Sequence, residues 1–177
     1  ITATLVRKPT APAAATNGAV LYVHGFTDYF FHEPLADHFH DRGYAFYALD
    51  LRKCGRSLLD GQTPHFVRDL AAYDLELGLA LDAIADDFTA DTPVLIAAHS
   101  TGGLITPLWL DRLRTASPER HARVSGLLLN SPWLDLQGKP VLRSYPVTMV
   151  VQGLAAVPGD SGIQRAGENF AGAIAVA

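Results

Sequence analysis

The sequence predicts an α/β fold in which a mostly parallel sheet is flanked by helices. Short apolar segments rich in Val, Leu, Ile and Tyr alternate with longer segments of helical period, the order typical of a parallel sheet with covering helices. Several of these apolar segments lack polar alternation, as strands buried on both faces do. With 177 residues, 49% of them hydrophobic, the chain can fill one sizeable core, so we expect a single domain.

Five strands are predicted, each a short segment rich in apolar and β-branched residues. They lie at 1–6, 19–25, 44–51, 93–100 and 124–131. The segment AVLYVHG at 19–25 is almost continuously apolar, which indicates a strand covered on both faces. Beyond about Gln152 the pattern fades. We therefore divide the chain into a core at 1–150 and a Gly- and Ala-rich tail at 151–177.

Three helices are predicted between these strands. The first, at 33–44, carries Pro34 in its first turn, where proline is well tolerated. The second is a long helix with one buried stripe, predicted from apolar residues spaced three or four apart at positions 66, 70, 73, 77, 81 and 84. The third follows Ser100, and we expect Pro107 to kink it because proline lacks a backbone donor.

Composition and spacing exclude several kinds of partner. A net charge of -4 leaves no basic surface for nucleic acid or an anionic membrane, and no apolar run reaches the about 18 to 20 residues of a membrane span. His38 and His40 are two apart on a predicted helix and face different ways, so we expect no metal and no cofactor. The single cysteine, Cys54, fits a reducing compartment. We expect a soluble, cytoplasmic protein with a small-molecule partner.

The strongest candidate for chemistry is Ser100, in the segment Ala98-His99-Ser100-Thr101-Gly102. This segment joins a predicted buried strand to a helix, which is the context of a nucleophile elbow. So tight a turn needs small residues two positions before and after the serine, and Ala98 and Gly102 meet that need. The alternative is that Ser100 only caps the helix, a common role for serine.

Two further segments bear on the same site. His24-Gly25-Phe26 ends the second strand, and its glycine lets the backbone turn, so the Phe26 and Thr101 amides are the natural pair to bind an oxyanion. His24 itself is either a base or a hydrogen-bonded structural residue, and the structural role is the commoner one at a strand end. Asp50 closes the third strand, in LDLRKCGRS.

Three segments, YVHGF, DLRKCGRS and AHSTGG, resemble those of α/β-hydrolases of the monoacylglycerol lipase and lysophospholipase type, the serine aminopeptidase-like branch. The resemblance covers about residues 1–150. In this family the middle segment usually has the pattern D-x-R-G-x-G-x-S. Lys53 therefore occupies the position of its first glycine. The resemblance implies hydrolysis of a carboxylic ester, of lipid acyl type, through an acyl-enzyme. Ser100 would attack, the Phe26 and Thr101 amides would hold the oxyanion, and a loop set would support them: His24, Gly25, Asp50, His99 and Gly102.

The resemblance also implies an acid and a base that follow later strands. No histidine follows His121, so the base is not identified, and Asp135 is the candidate acid. Three explanations stay open. The chain lacks a C-terminal part with the last strands and most of the helical cap; it is a catalytically inactive hydrolase-like binding module; or another histidine, such as the adjacent His99, is recruited.

An incomplete core would leave one edge of the sheet unpaired. Unpaired strand edges and exposed apolar patches favour association between chains. We therefore expect this 177-residue chain to self-associate.

Overall fold

The computed structural model of the chain describes residues 1–8, 17–89, 91–134 and 173–176. Within these ranges the strands are Ala3–Arg7 (β1), Ala19–Val23 (β2), Ala45–Asp50 (β3), Val94–His99 (β4), Val124–Asn130 (β5) and Ala173–Val176 (β6). The helices are Glu33–His40 (α1), Asp74–Asp87 (α2), Gly102–Ala116 (α3) and Pro118–Ala122 (α4), with 3-10 turns at Gly55–Ser57 and Leu70–Tyr73.

The described strands form one sheet in the order β5-β4-β2-β3-β1-β6. Strands β2 to β5 are parallel, whereas β1 runs antiparallel to both β3 and β6. Val23 pairs with Leu49 on one side and Ala98 on the other, so the carboxyl ends of β2, β3 and β4 lie level. The predicted mostly parallel sheet is confirmed, and β6 lies in the tail, where the sequence pattern predicts no strand.

The sheet is covered on both faces, as the continuous apolar strands indicate. On one face Leu21 and Ile96 belong to a buried cluster with Leu81 of α2 and Trp109 of α3. On the other face lies a second cluster, formed by Val20, Tyr22, Phe30, Ala36, Phe39, Phe46 and others. Alternate residues of β2 belong to the two clusters because successive side chains of a strand point to opposite faces of the sheet.

One helix prediction needs correction. The second helix begins at Asp74 rather than Phe66, because the Asp69 carboxylate accepts a hydrogen bond from the Ala71 amide and starts a 3-10 turn at Leu70–Tyr73 instead. The buried stripe persists through both segments. The third helix runs from Gly102 to Ala116 with Pro107 inside it, and the kink at Pro107 stays a prediction.

Strand β5 forms one end of the described sheet and is poorly covered. Leu127 is 36% exposed and Leu128 is 47% exposed, although both are large and apolar. In the described part of the chain, no helix has both the length and the apolar character to cross a membrane.

Candidate active site

Ser100 occupies a strained backbone position between β4 and α3. Its φ is +51°, a left-handed value that residues other than glycine rarely adopt. The Ser100 amide donates to the Asn130 carbonyl at 3.0 Å, and the Ser100 carbonyl accepts from the amides of Gly103 and Trp133, each at 2.9 Å. These bonds join the turn to α3 and to the end of β5, and they hold the conformation that the strain would otherwise disfavour.

The residues around Ser100 are small because the backbone approaches closely. A Cβ on Gly102 would lie 2.6 Å from the carbonyl oxygens of both Val23 and His24. A Cβ on Gly103 would lie 2.7 Å from the Cβ of Pro132. Ala98, on the other side of Ser100, is only 1% exposed. Any larger residue at position 102 would therefore separate α3 from the end of β2.

The loop after β2 closes onto Ser100. A Cβ on Gly25 would lie 3.1 Å from the Ser100 Cβ and 3.3 Å from Cδ2 of His99. The amides of Phe26 and Thr101 donate to no described residue, and Phe26 and Thr101 line one pocket. The fold thus brings Phe26 and Thr101, the two residues named from the sequence, to one pocket, whose described lining includes Thr101 but not the preceding Ser100.

His24 uses both ring nitrogens inside the fold. Its Nε2 accepts from the Leu51 amide at 3.1 Å, so Nδ1 carries the proton and donates to the Gly25 carbonyl at 2.7 Å. Burial lowers the pKa of His24 and keeps the ring neutral. The residue therefore links the ends of β2 and β3 and fixes the carbonyl that precedes Phe26.

Asp50 anchors the other side of the same loop. Its carboxylate is fully buried and accepts from the Phe30 amide at 2.9 Å, the Arg56 amide at 3.2 Å and Arg56 Nη1 at 2.8 Å. Gly55, at φ +47°, leaves room where a Cβ would collide with Tyr29. Asp50 thus positions the loop that leads away from Phe26.

The pocket beside Ser100 includes residues that the sequence pattern did not single out for the site. Its cavity volume is about 20 Å³, room for about one water molecule, and His65, Tyr73 and Ile105 line it together with Cys54. The Cys54 thiol donates to the Arg52 carbonyl, and burial raises its pKa to about 12. His65 lies in a loop without periodicity, so no local signal marks it.

Among the described residues, no acid or base partner of Ser100 is in place. No described histidine is hydrogen-bonded to Ser100; the Nδ1 atom of His99 is buried and has no partner among the described residues. Asp135 lies outside the described residues. Within the described ranges, no group of three or more His, Cys, Asp or Glu side chains is placed to hold a metal ion.

The profile of the family described as serine aminopeptidase, S33, matches residues 14–160. The chain belongs to the serine aminopeptidase S33 family. A comparison with curated protein sequences finds no match. The resemblance drawn from the three sequence segments is confirmed.

Solved structures share the α/β-hydrolase fold of this S33 family chain at low sequence identity. A soluble variant of monoglyceride lipase from Saccharomyces cerevisiae, solved with a substrate analog, has a TM-score of 0.60 at 20% identity and covers 84% of this chain. Monoacylglycerol lipase from Paleococcus ferrophilus has a TM-score of 0.58 at 17% identity over 87% of this chain. The chain spans 46% and 51% of those two structures, about half of their length.

In this S33 family chain, a lysine occupies a left-handed backbone position in the middle segment. Lys53 has φ +62°, which explains why glycine suits that position. Its carbonyl accepts from the His65 amide at 2.9 Å, and its Nζ donates to the Phe66 carbonyl at 3.0 Å. These two bonds offset the strain and connect the segment to the loop that carries His65.

Proposed function

We propose that this chain carries the nucleophile and oxyanion site of a serine hydrolase that cleaves carboxylic esters. The observation that supports it best is the strained Ser100, at φ +51°, beside two amides that donate to no described residue. Strain of this kind is retained where a fold needs a side chain presented in one direction. A helix-capping serine requires no left-handed backbone.

The proposed reaction has two halves. Ser100 Oγ attacks the ester carbonyl and forms a C–O bond, while the carbonyl oxygen gains negative charge that the Phe26 and Thr101 amides and the N-terminus of α3 stabilise. The tetrahedral intermediate then expels the alcohol and leaves an acyl-enzyme. Water attacks this ester in the same way, releases the acid and restores the hydroxyl.

Both halves need a base that takes the proton of the attacking hydroxyl and then gives it to the leaving group, the alcohol in the first half and the Ser100 oxygen in the second. His24 is committed to Leu51 and Gly25, and the sequence holds no histidine after His121. The base and the acid, for which Asp135 is our candidate, are therefore the parts of the proposal that rest on the family resemblance alone.

We propose an ester of lipid acyl type as substrate, a monoacylglycerol in preference to a lysophospholipid, because the phosphate of a lysophospholipid is charged. The described pocket lining contains no Asp, Glu, Lys or Arg, so it offers no charge to pair with an ionic group. Two of the similar structures are named as lipases of monoglycerides or monoacylglycerols. The buried Cys54 thiol fits a cytoplasmic location.

The second candidate function is an ester-binding module without catalysis. The absence of a described histidine bonded to Ser100 favours it, because an unassisted serine hydroxyl stays protonated at neutral pH.

A fluorophosphonate probe separates the two functions. Because labelling needs a base, we expect the probe to label Ser100 in the full-length protein, and the Ser100→Ala variant to lose the label. Ser131→Ala is the matched control, since Ser131 also has a positive φ of 48° but lies exposed at the end of β5. Label on Ser100 supports the hydrolase, whereas a folded full-length protein that stays unlabelled supports the binding module.

A further inference from the structure

Lys53 is bonded at two points to the loop that carries His65. The Lys53 carbonyl accepts from the His65 amide at 2.9 Å, and the Lys53 ammonium donates to the carbonyl of the next residue, Phe66, at 3.0 Å. The ammonium also lies 5.8 Å from the centroid of the Phe66 ring, within reach of a cation–π contact. One residue therefore holds the loop through both its backbone and its side chain.

The backbone is strained on both sides of this connection. Lys53 has a φ of +62° and His65 a φ of +58°, left-handed values that are uncommon for residues other than glycine. The cost of such a conformation is comparable to what one or two hydrogen bonds return. The strain and the bonds of the loop therefore nearly balance, and loss of the ammonium bond would let the loop relax.

The loop in turn contacts the proposed oxyanion site through His65. The His65 ring packs edge-on against the Phe26 ring, with centroids 5.6 Å apart and an interplanar angle of 60°. Edge-to-face aromatic pairs have a preferred geometry, so His65 restricts where the Phe26 side chain can lie. The residue after Phe26, Thr27, is exposed and has a φ of +53°, so it provides little packing on that side.

The Phe26 amide belongs to a planar peptide unit with two points of support. The carbonyl of this unit is that of Gly25, which accepts from His24 Nδ1 at 2.7 Å. A single hydrogen bond lets the unit pivot about its carbonyl oxygen. The contact between the Phe26 and His65 rings restrains the other end of the unit, so the direction of the Phe26 N–H bond depends on both contacts.

We propose that Lys53 is a positioning residue that sets the direction of the Phe26 amide through the ring of His65. The proposal rests on the proposed function, in which this amide is one of two oxyanion donors. Such a donor acts only when its N–H bond points at the developing charge. A glycine at position 53 would suit the left-handed backbone but would lack the ammonium that holds the loop.

Four variants test the proposal on the full 177-residue chain. Lys53→Met keeps the apolar part of the side chain and the backbone strain but removes the ammonium. Lys53→Gly removes the ammonium and the strain together. Lys53→Arg keeps a cation that can donate to the Phe66 carbonyl and lie over its ring. Arg68→Met is the matched control, since it removes a positive charge from an exposed part of the same loop.

The readout is the one-bond N–H residual dipolar coupling of Phe26, measured by NMR in a weakly aligned sample. This coupling reports the direction of the N–H bond relative to the sheet. We expect Lys53→Met and Lys53→Gly to shift it beyond the changes seen for the amides of β2 and β4. Lys53→Arg and Arg68→Met should keep the wild-type value.

Urea denaturation separates positioning from a general loss of stability. Lys53→Gly should be more resistant to urea than Lys53→Met, because glycine carries no strain at a left-handed position. A shifted Phe26 coupling in both variants therefore does not follow from their stability. An unchanged coupling in both overturns the proposal, and so does an equal shift in Arg68→Met, since the charge alone would then explain it. Should Lys53→Met fail to fold, Lys53→Gly decides.

The rate at which a fluorophosphonate labels Ser100 in the full-length protein tests the link to the proposed function. We expect Lys53→Met to slow labelling at saturating probe by about three- to tenfold, the effect of one hydrogen bond, and Lys53→Arg to restore it. If the coupling shifts while the rate stays unchanged, Lys53 positions Phe26 but the Phe26 amide is not an oxyanion donor. If the wild-type protein is never labelled, the proposed function fails and the coupling still decides the role of Lys53.

Discussion

At the scale of single residues, the local sequence carries most of the information about Ser100. Small residues at positions 98 and 102 predict a tight turn, and the close contacts of Gly102 give the physical reason for them. His65 could not be found in this way, because its place beside Phe26 depends on bonds to Lys53, a residue twelve positions earlier in the chain. A local sequence pattern predicts only local geometry. The residues that line a pocket come from loops that are distant in the sequence, so such a pattern does not identify them.

Replacing Gly102 by alanine tests the close approach directly. The added Cβ would meet two carbonyl oxygens at 2.6 Å, and backbone atoms cannot move aside as side chains do. We expect Gly102→Ala to lower the free energy of unfolding by about 1 to 3 kcal/mol, as overpacking does, measured by urea denaturation.

Gly78 of α2 provides the matched control for that substitution. A Cβ there would meet only the end of the flexible Arg120 side chain, at 3.5 Å. Gly78→Ala should therefore raise the free energy of unfolding by about 0.5 to 1 kcal/mol, the usual gain of alanine over glycine within a helix. Equal stability of the two variants would contradict the close contact at position 102.

At the scale of elements, α2 forms both buried and exposed ion pairs with its neighbours. Glu76 accepts from Arg52 Nε at 3.0 Å and 2.9 Å, and their side chains are only 3% and 12% exposed. Asp82 accepts from Arg120 Nε at 2.9 Å, but those two side chains are 37% and 39% exposed. The periodic apolar stripe predicts the buried face of α2, whereas the partners of its charges depend on how loop and helix pack.

The burial of each ion pair determines how much the pair contributes to the free energy of unfolding. We expect Glu76→Gln to lower the free energy of unfolding by about 3 to 5 kcal/mol, because it leaves the Arg52 guanidinium buried without its counter-charge. Asp82→Asn should change it by about 0 to 1 kcal/mol, since solvent screens an exposed pair. Urea denaturation of both variants measures the difference, and a similar loss in the two would show that the Arg52 charge is not desolvated.

At the scale of the whole molecule, the sequence predicts the α/β class because each strand and helix has a clear period. The order of the strands is not written in any one segment. β6 pairs with β1 across most of the chain length, in register from Ala3 with Val176 to Val6 with Ala173, although the tail around it shows no strand pattern. Pairing of this kind depends on long-range contacts, which a periodicity argument cannot detect.

The poorly covered β5 makes the whole chain a candidate for self-association. It forms one end of the described sheet and exposes Leu127 and Leu128, and strand edges with exposed apolar residues pair with other chains. We expect sedimentation velocity to show association that increases with protein concentration. Leu128→Lys should shift the population towards monomer, since a charge on an edge strand opposes pairing.

Leu75→Lys is the control for this change. Leu75 is even more exposed, at 58%, but it belongs to the helix α2 and not to the edge strand β5. If the chains associate through exposed leucines in general, both substitutions should reduce association equally. If they associate through β5, only Leu128→Lys should reduce it. A wild-type chain that sediments as a monomer at every concentration would contradict association through this edge.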